Sequence, residues 1–325
     1  MKIPPVYSIN AEVVELIAKI DASRQLIISL SPSPQIIQKI QRVSLLKSSL
    51  FSARIEGNSL SLENLNGIDE KKEKKEITNI LEASKYLQSE HDLKAIDLSL
   101  IKNLHQLVMN NLTPYPGNFR KEMSAIFNQT GVAIYVPPPP TNIFNLINQL
   151  IKFINSKKER FPLIAGFLAH LVFEKIHPFI DGNGRVGRLL ISAVFKVYDY
   201  DYGLVVPFEE YLDEHKSDYY YFLNIGLKQT NDYLLFMLKA FYRQTEKIIG
   251  LLKSEMNNKN KVYLPPRQEE IFQIIKEHHV VSFDFIKRRF LQVPVRTLRW
   301  DLKKLVGANL IVKIGKTRGS YYSII

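Results

Sequence analysis

The sequence predicts a mainly α-helical protein that carries a β-hairpin and ends in a winged helix-turn-helix domain. Apolar residues recur at three- and four-residue spacing as far as about residue 250, which is typical of packed amphipathic helices. Residues 118–136 alternate weakly instead, which predicts a hairpin. Residues 264–325 have the pattern of three helices followed by two strands. We therefore predict an N-terminal helical region, a helical core and a winged helix at residues 1–92, 93–256 and 262–325.

The composition narrows the class of protein. The 325 residues include no cysteine, which excludes a disulfide framework, thiolate zinc sites and a cysteine nucleophile. No charged-then-apolar leader opens the sequence, and no apolar run approaches the length of a membrane span. We therefore expect a cytoplasmic protein without membrane contact. The net charge of +12 favours a nucleic-acid or phosphate-bearing partner.

The N-terminal region ends its helical pattern at an acidic residue. Glu56 follows an apolar-periodic segment, and Gly57 is a usual residue just past a helix end. A carboxylate at this end of a helix is disfavoured by the helix dipole. Glu56 is therefore either a tolerated surface residue or the partner of a cation elsewhere, for which Arg188 is a candidate.

Further helices are predicted through the core, with the hairpin between them. Turn residues at 113–117 precede the hairpin, and the run Pro137–Pro140 follows it with extended backbone. Such a hairpin can accept a strand from another chain at its edge, or it can be a structural flap. The predicted helices are Ile77–Leu87, Ile96–Leu112, Ile143–Ile154, Phe161–Ile176 and Asp232 to about Leu252.

The segment His177–Arg188 lies between two apolar helical patterns and predicts a tight polar loop. Gly182 and Gly184 allow successive backbone N–H groups to converge at the start of the second helix, where an anion is favoured. Arg185 and Arg188 are three residues apart and would point at the same anion. The loop thus predicts a polyphosphate-binding site with a histidine beside it.

Two other chemistries compete with phosphate binding at this loop. His170, Glu174 and His177 share one helix face and could hold a metal, but His170 lies among apolar residues and is better explained as a core histidine. A P-loop is excluded because its glycine-lysine pattern is absent. What remains is an anion site in which His177 can deprotonate a hydroxyl, with Asp181 suitably placed for Mg²⁺. Nucleotidyl or phosphoryl transfer requires this combination.

The loop resembles the Fic family. Residues 177–188, His-Pro-Phe-Ile-Asp-Gly-Asn-Gly-Arg-Val-Gly-Arg, match the family motif His-x-Phe-x-(Asp/Glu)-Gly-Asn-Gly-Arg-x-x-Arg at every specified position. Residues 52–57 match the family's inhibitory motif, (Ser/Thr)-x-x-x-Glu-(Gly/Asn), and residues 116–120 resemble the start of its flap. The resemblance covers roughly residues 40–250 and implies a Fic-fold helical core with the hairpin as flap. A C-terminal winged helix is a familiar companion of this core.

The resemblance also implies a role for each residue of the loop. His177 would be the general base, and Phe179 would anchor the loop in the core. Asp181 would bind Mg²⁺, and Arg188 would hold the γ-phosphate or pair with Glu56. The remaining nucleotide-binding residues would be Gly182, Asn183 and Gly184, which form the phosphate nest with a contribution from the Asn183 side chain, and Arg185, which contacts the phosphates and stabilises the leaving pyrophosphate.

The reaction implied is transfer of AMP from ATP to a Ser, Thr or Tyr hydroxyl of a protein, including the enzyme itself. Glu56 becomes the expected inhibitor, because a guanidinium that binds it cannot also hold the γ-phosphate. Transfer of UMP or phosphate and removal of AMP are alternatives within the same class. A homodimer whose interface supports the inhibitory helix is a further expectation.

The C-terminal segment concentrates positive charge and offers a hypothesis of a different class. Residues 264–325 contain 12 Lys and Arg against 5 Asp and Glu, a net of +7. This charge fits either DNA contact, with the Fic core as a sensor, or protein docking with an incidental basic surface. The cations concerned are Arg296, Arg299, Lys303 and Lys304 on the third predicted helix and Lys313, Lys316 and Arg318 on the predicted wing.

Overall fold

A computed structural model describes residues 1–63, 71–90, 92–127, 133–200, 202–257, 264–315 and 320–324. The chain divides into two compact units. One comprises Met1–Ser31 and Lys39–Lys253, and the other comprises Pro32–Gln38 and Ser254–Ile325. The finer division at residue 92 stays a prediction.

The predicted helical character is confirmed. Ser31 has a left-handed backbone with φ of 44° and ends the first helix. Ten helices lie between residues 11 and 257 of the described chain: α1 Ala11–Leu30, α2 Pro34–Ile55, α3 Lys71–Ser89, α4 Leu98–Val108, α5 Pro140–Ser156, α6 Pro162–Ile176, α7 Asn183–Val197, α8 Glu209–Glu214, α9 Lys216–Ile225 and α10 Thr230–Asn257.

Helix α6 is the centre of the larger unit. Every residue from Leu163 to Ile176 is buried, which explains why this segment is apolar on all sides. Helix α7 approaches it closely at Gly166, where an added Cβ would lie 2.7 Å from Cε1 of Phe195. The loop between α6 and α7 is therefore held between two buried helices.

The predicted hairpin is present and lies between α4 and α5. Strands β1 (Ile126–Phe127) and β2 (Ala133–Tyr135) pair antiparallel, with Ile126 opposite Tyr135. The intervening residues 128–132 lie outside the described chain.

The C-terminal unit contains the three predicted helices, α11 (Pro266–His278), α12 (Phe283–Arg289) and α13 (Val295–Gly307). The predicted strands β4 (Ile311–Ile314) and β5 (Tyr321–Ile324) pair antiparallel. A short strand β3 (Val280–Ser282) was not predicted, and it pairs with the other side of β5. The unit has its own apolar core, which includes Ile271, Ile275, Ile286, Leu298, Leu302 and Leu305. Its assignment as a winged helix stays a prediction.

Several predicted helix boundaries differ from the structure. Helices α3 and α5 extend beyond their predicted bounds at both ends, and α4 ends at Val108 rather than Leu112. Helix α4 begins later than predicted because Asp97 caps it, accepting a hydrogen bond from the Leu100 N–H at 2.7 Å. Helix α10 is longer than predicted at both ends. None of the helices in the described ranges is both long and apolar enough to cross a bilayer.

Candidate active site

The predicted polar loop connects the end of α6 to the start of α7. His177 follows the last residue of α6 with a left-handed backbone, φ of 50°, and its N–H donates to the Phe173 carbonyl at 2.9 Å. Gly182 also has a positive φ of 80°, and a Cβ there would lie 2.7 Å from Sδ of Met109. The chain can turn this tightly only because position 182 is glycine. Helix α7 then begins at Asn183, so its first N–H groups are free of intrahelical partners.

The interior of the loop is fixed by aromatic stacking. Phe179 is fully buried, and its ring stacks on the His105 imidazole with centroids 3.7 Å apart. His105 accepts a hydrogen bond from the Gly117 N–H at 2.7 Å, and its other ring nitrogen lies 3.1 Å from the Asp181 carbonyl oxygen. Burial lowers the pKa of His105 to about 4, so this imidazole is neutral and donates to that carbonyl. The predicted role of Phe179 as an anchor fits this packing.

The Asn183 side chain closes the loop on itself. Its amide oxygen accepts from the Phe179 N–H at 2.9 Å, and its amide nitrogen donates to the Phe179 carbonyl at 2.9 Å. Each polar group of this side chain makes one hydrogen bond within the loop, and its contribution to phosphate binding stays a prediction. Asn183 can still offer its backbone N–H to an anion.

Asp181 and Arg185 pair across the first turn of α7. The Arg185 guanidinium donates to Oδ1 of Asp181 at 2.9 Å, and the Gly182 N–H donates to the same oxygen at 2.6 Å. The Asp181 side chain is 64% exposed, whereas that of Arg185 is 5% exposed. Nε of Arg185 is buried without a hydrogen-bond partner. An oxyanion at this helix end could therefore accept a hydrogen bond from a buried guanidinium that still has a free donor.

The predicted pairing of Glu56 with Arg188 is present. Nη2 of Arg188 lies 2.9 Å from Oε1 of Glu56 and 2.8 Å from the Ser52 carbonyl oxygen, and Nε donates to Oγ of Ser52 at 3.0 Å. The Arg188 side chain is 1% exposed and that of Glu56 is 28% exposed. Burial alone would lower the pKa of Arg188, but Glu56 together with two tyrosines raises it. The two arginines of the loop thus have different carboxylate partners.

Gly184 lies directly beneath the Glu56 carboxylate. A Cβ at this position would lie 2.1 Å from Oε1 of Glu56 and 3.1 Å from Nη1 of Arg188. Glu56 therefore reaches the backbone at the start of α7, where the loop favours an anion.

A chain of hydrogen bonds connects Arg188 to buried side chains of the core. Nη1 of Arg188 lies 3.5 Å from the Tyr219 hydroxyl, which lies 3.1 Å from Nε2 of His170. Nδ1 of His170 lies 2.7 Å from the Tyr233 hydroxyl. Both nitrogens of the fully buried His170 are thus satisfied, which confirms that it is a core histidine. In the described part of the chain, no group of three His, Asp or Glu side chains is arranged to hold a metal ion.

His177 combines burial with an unused ring nitrogen. Its Nδ1 is buried and has no hydrogen-bond partner. Burial lowers the pKa of His177, with a smaller lowering from Arg120 and opposing contributions from Glu56 and Asp181. The imidazole is therefore neutral near pH 7 and can accept a proton.

A cavity of about 810 Å³ opens over the loop. It brings together His177, Asp181 and the glycines of the loop with Glu56. Other lining residues lie outside the two family motifs, and of these only Glu174 was named from the sequence, as a possible metal ligand. From the hairpin, α6 and α9 they include Ile126, Tyr135, Glu174, Lys175, Lys216, Tyr219, Tyr220, Leu223 and Asn224.

The fold and the site together define a helical protein with a polar loop, suited to an anion, between two buried helices. Residues 95–195 match the Fic/DOC family, so the chain carries a Fic domain. The chain is 27% identical over 223 residues to the protein adenylyltransferase Fic of Drosophila willistoni, an alignment that covers 65% of this chain and 42% of that protein. The corresponding protein of Drosophila mojavensis is 25% identical over 67% of this chain and 44% of its own. The chain thus spans less than half the length of these relatives.

Solved structures share the fold. A Fic family protein from Desulfovibrio desulfuricans G20 superposes with a TM-score of 0.67 at 20% identity, covering 99% of this chain and 98% of its own. Fic-1 from C. elegans superposes with a TM-score of 0.63 at 20% identity, covering 75% and 73%. The predicted Fic-fold core is confirmed.

Proposed function

We propose that the protein is an autoinhibited adenylyltransferase that transfers AMP from ATP to a Ser, Thr or Tyr hydroxyl of a protein, including itself. The observation that carries the proposal is that His177, whose Nδ1 has no hydrogen-bond partner, lines a cavity large enough for a nucleotide beside a helix end suited to an anion. The Fic domain and the adenylyltransferase relatives support the same reaction.

In the proposed reaction, His177 accepts the proton of the acceptor hydroxyl. The hydroxyl oxygen forms a bond to the α-phosphorus as the bond to pyrophosphate breaks. Arg185 and the first N–H groups of α7 stabilise the charge that develops on the phosphates. Arg188 is the natural ligand for the γ-phosphate once Glu56 has left it.

Asp181 is the residue that would hold Mg²⁺. Its carboxylate is largely exposed at the mouth of the phosphate site, and Mg²⁺ is commonly bound by one or two carboxylates together with phosphate oxygens and water. A single protein carboxylate therefore fits this ion. When bound, Mg²⁺ neutralises phosphate charge and fixes the geometry of the polyphosphate.

The nucleobase is proposed to bind against α9. Tyr220, Leu223 and Asn224 give this wall of the cavity an aromatic ring, an apolar side chain and an amide. These groups offer stacking, apolar contact and hydrogen bonding to a base.

Labelling with ATP tests the proposed autoinhibition. Glu56→Gly removes the carboxylate that occupies Arg188, so we expect self-modification by labelled ATP to rise by about 10- to 100-fold, the value of a charged hydrogen bond of 1.5–3 kcal/mol. His177→Ala in that variant should abolish labelling. Glu63→Gly, at an exposed acidic position outside the site, is the control. Equal labelling of the wild type and the Glu56 variant would refute autoinhibition.

Mass spectrometry decides between the alternatives for the transferred group. The Glu56→Gly protein should gain the mass of AMP after incubation with ATP and Mg²⁺, and fragmentation should place it on a hydroxyl side chain. A gain of UMP from UTP in preference to AMP, or of phosphate alone, would instead support one of the other transfers. Loss of AMP from the modified protein on addition of wild-type protein would support a removal activity.

DNA binding by the C-terminal unit is proposed as a second function. Arg296, Arg299, Lys303 and Lys304 are exposed on α13, whereas Asp301 of the same helix is buried and accepts hydrogen bonds from Arg267 and Gln268. The exposed face of α13 is therefore cationic, and Lys313 on β4 extends it around a cavity of about 460 Å³ that Arg299 and Lys303 also line. The predicted wing cations Lys316 and Arg318 lie outside the described residues.

Duplex binding by the full chain tests this function. We expect the affinity for a fluorescent DNA duplex to fall steeply with salt and to weaken further in the Arg299→Ala/Lys303→Ala variant, because phosphate contacts release counterions. Lys276→Ala, an exposed cation on α11, is the matched control. Absence of binding even at low salt would refute DNA contact and leave protein docking as the alternative.

A further inference from the structure

Arg120 connects the hairpin to the catalytic loop. Its side chain is buried, with the residue 3% exposed, and Nε donates to the His177 carbonyl at 2.8 Å. Nη1 donates to the Glu122 carbonyl at 2.9 Å, and Nη2 donates to the Pro138 carbonyl at 2.5 Å. The backbone N–H of Arg120 also donates to the Pro178 carbonyl at 2.9 Å.

These acceptors belong to two different structural elements. Glu122 precedes the hairpin and Pro138 follows it, so the guanidinium holds both ends of the hairpin segment together. His177 follows the last residue of α6, where carbonyl groups have no partner within the helix. The planar side chain of Arg120 thus fixes the position of the hairpin relative to the backbone of the proposed base.

A second attachment holds the hairpin against α6. The Tyr135 hydroxyl on β2 donates to the Lys175 carbonyl at 2.8 Å. Nζ of Lys175 lies 4.2 Å from the centre of the Tyr135 ring and donates to the Asn224 carbonyl at 3.0 Å. Lys175 is only 4% exposed and lies two residues before His177. The hairpin is therefore attached to α6 beside the base as well as at its own two ends.

The chemistry of the arginine side chain indicates why this residue occupies position 120. Its side-chain hydrogen bonds among the described residues all end on backbone carbonyls, although burying a charge costs more than burying a neutral donor. A guanidinium supplies several donors in one rigid plane, which no neutral side chain does. The arrangement is suited to holding three backbone segments at fixed separations.

We propose that Arg120 is a positioning residue that sets His177 relative to the hairpin, so that an acceptor segment held on the hairpin meets the base at reacting distance. The contacts of Tyr135 with Lys175 hold β2 against α6 and so support the same arrangement. This inference rests on the proposed transferase function and on the hairpin as the surface that receives the acceptor.

Kinetics in the Glu56→Gly background test the proposal. Arg120→Lys keeps the charge but loses the planar set of donors, so we expect the self-modification rate at saturating ATP to fall by about 10- to 100-fold, as for a small misplacement of reacting groups. The KM for ATP should stay within about twofold, because Arg120 is not among the residues that line the cavity. Lys121→Gln, at the exposed neighbouring position, should leave both quantities unchanged.

A milder variant covers the case in which Arg120→Lys fails to fold, as judged by its thermal unfolding. Tyr135→Phe removes one hydrogen bond to α6 and keeps the ring on Lys175, so the rate at saturating ATP should fall by about 2- to 10-fold. An unchanged rate in a folded Arg120→Lys or Tyr135→Phe protein would overturn the inference, as would a rise in the KM for ATP that accounts for the lost rate. Absence of labelling in the Glu56→Gly parent would instead refute the proposed function itself.

Discussion

At the scale of single residues, the site is built around a buried arginine with several partners. Arg188 contacts Glu56, Ser52 and Tyr219, and only the first of these contacts can break without disturbing the core. The partial exposure of Glu56 makes it the replaceable ligand. We therefore expect Glu56→Gly to leave Arg188 in place.

Glu174 gives a prediction about pH. Burial, assisted by the charge of Glu56, raises the pKa of Glu174 from 4.5 to about 8. Between these values the unfolded chain loses a proton that the folded protein keeps, so this residue lowers stability as the pH rises. Relative to Glu174→Gln, the wild-type free energy of unfolding should fall by up to about 1.4 kcal/mol per pH unit across this window.

Urea unfolding of both proteins at pH 5 and pH 8 measures this difference. Glu82→Gln, at an exposed position on α3, is the control. A stability difference between wild type and Glu174→Gln that is the same at both pH values would contradict the prediction.

The residues of the loop were predictable because one continuous string carries them. The partners that orient them were not, because they come from distant parts of the chain. Ser52 lies 136 residues from Arg188, and Arg120 lies 57 residues from His177. Neither Tyr219 nor Tyr233 belongs to a local pattern that indicates its bond to His170. Such partners can be identified only from the packing of the helices in three dimensions.

At the scale of elements, the close approach of α6 and α7 gives a second prediction. Gly166→Ala would place a Cβ 2.7 Å from a buried phenylalanine ring, so the free energy of unfolding should fall by about 1–3 kcal/mol. Gly250→Ala is the matched control on α10, where a Cβ meets nothing within 4 Å. That substitution should stabilise the protein by up to about 1 kcal/mol. Urea unfolding measures both, and equal effects would contradict the packing.

Elements were predicted where the apolar period is long and missed where it is short. The fully buried α6 and the amphipathic α5 follow from their patterns. Strand β3 has only three residues, too few to show a period, and it exists because β5 offers a free edge. The start of α4 was predicted too early, at Ile96, because capping by Asp97 outweighed the apolar pattern around it.

At the scale of the whole molecule, the two units have separate apolar cores. Ile275→Ala opens a cavity in the C-terminal core and should cost about 2–5 kcal/mol there. ATP labelling of the Glu56→Gly protein should be unchanged, because no residue of the proposed site lies in that unit. Leu291→Ala, at a position that is 84% exposed, is the control. Loss of labelling with Ile275→Ala would show that the units do not act separately.

The contact between Glu56 and Arg188 also has a consequence in terms of mass action. If Arg188 serves ATP as proposed, Glu56 is a competitor tethered to its own site, with an effective concentration set by the fold. The apparent affinity for ATP is then the intrinsic affinity multiplied by the fraction of molecules in which the carboxylate is absent. Dilution cannot relieve such inhibition. It yields to a sufficiently high ATP concentration, or to a ligand or partner that holds the end of α2 elsewhere.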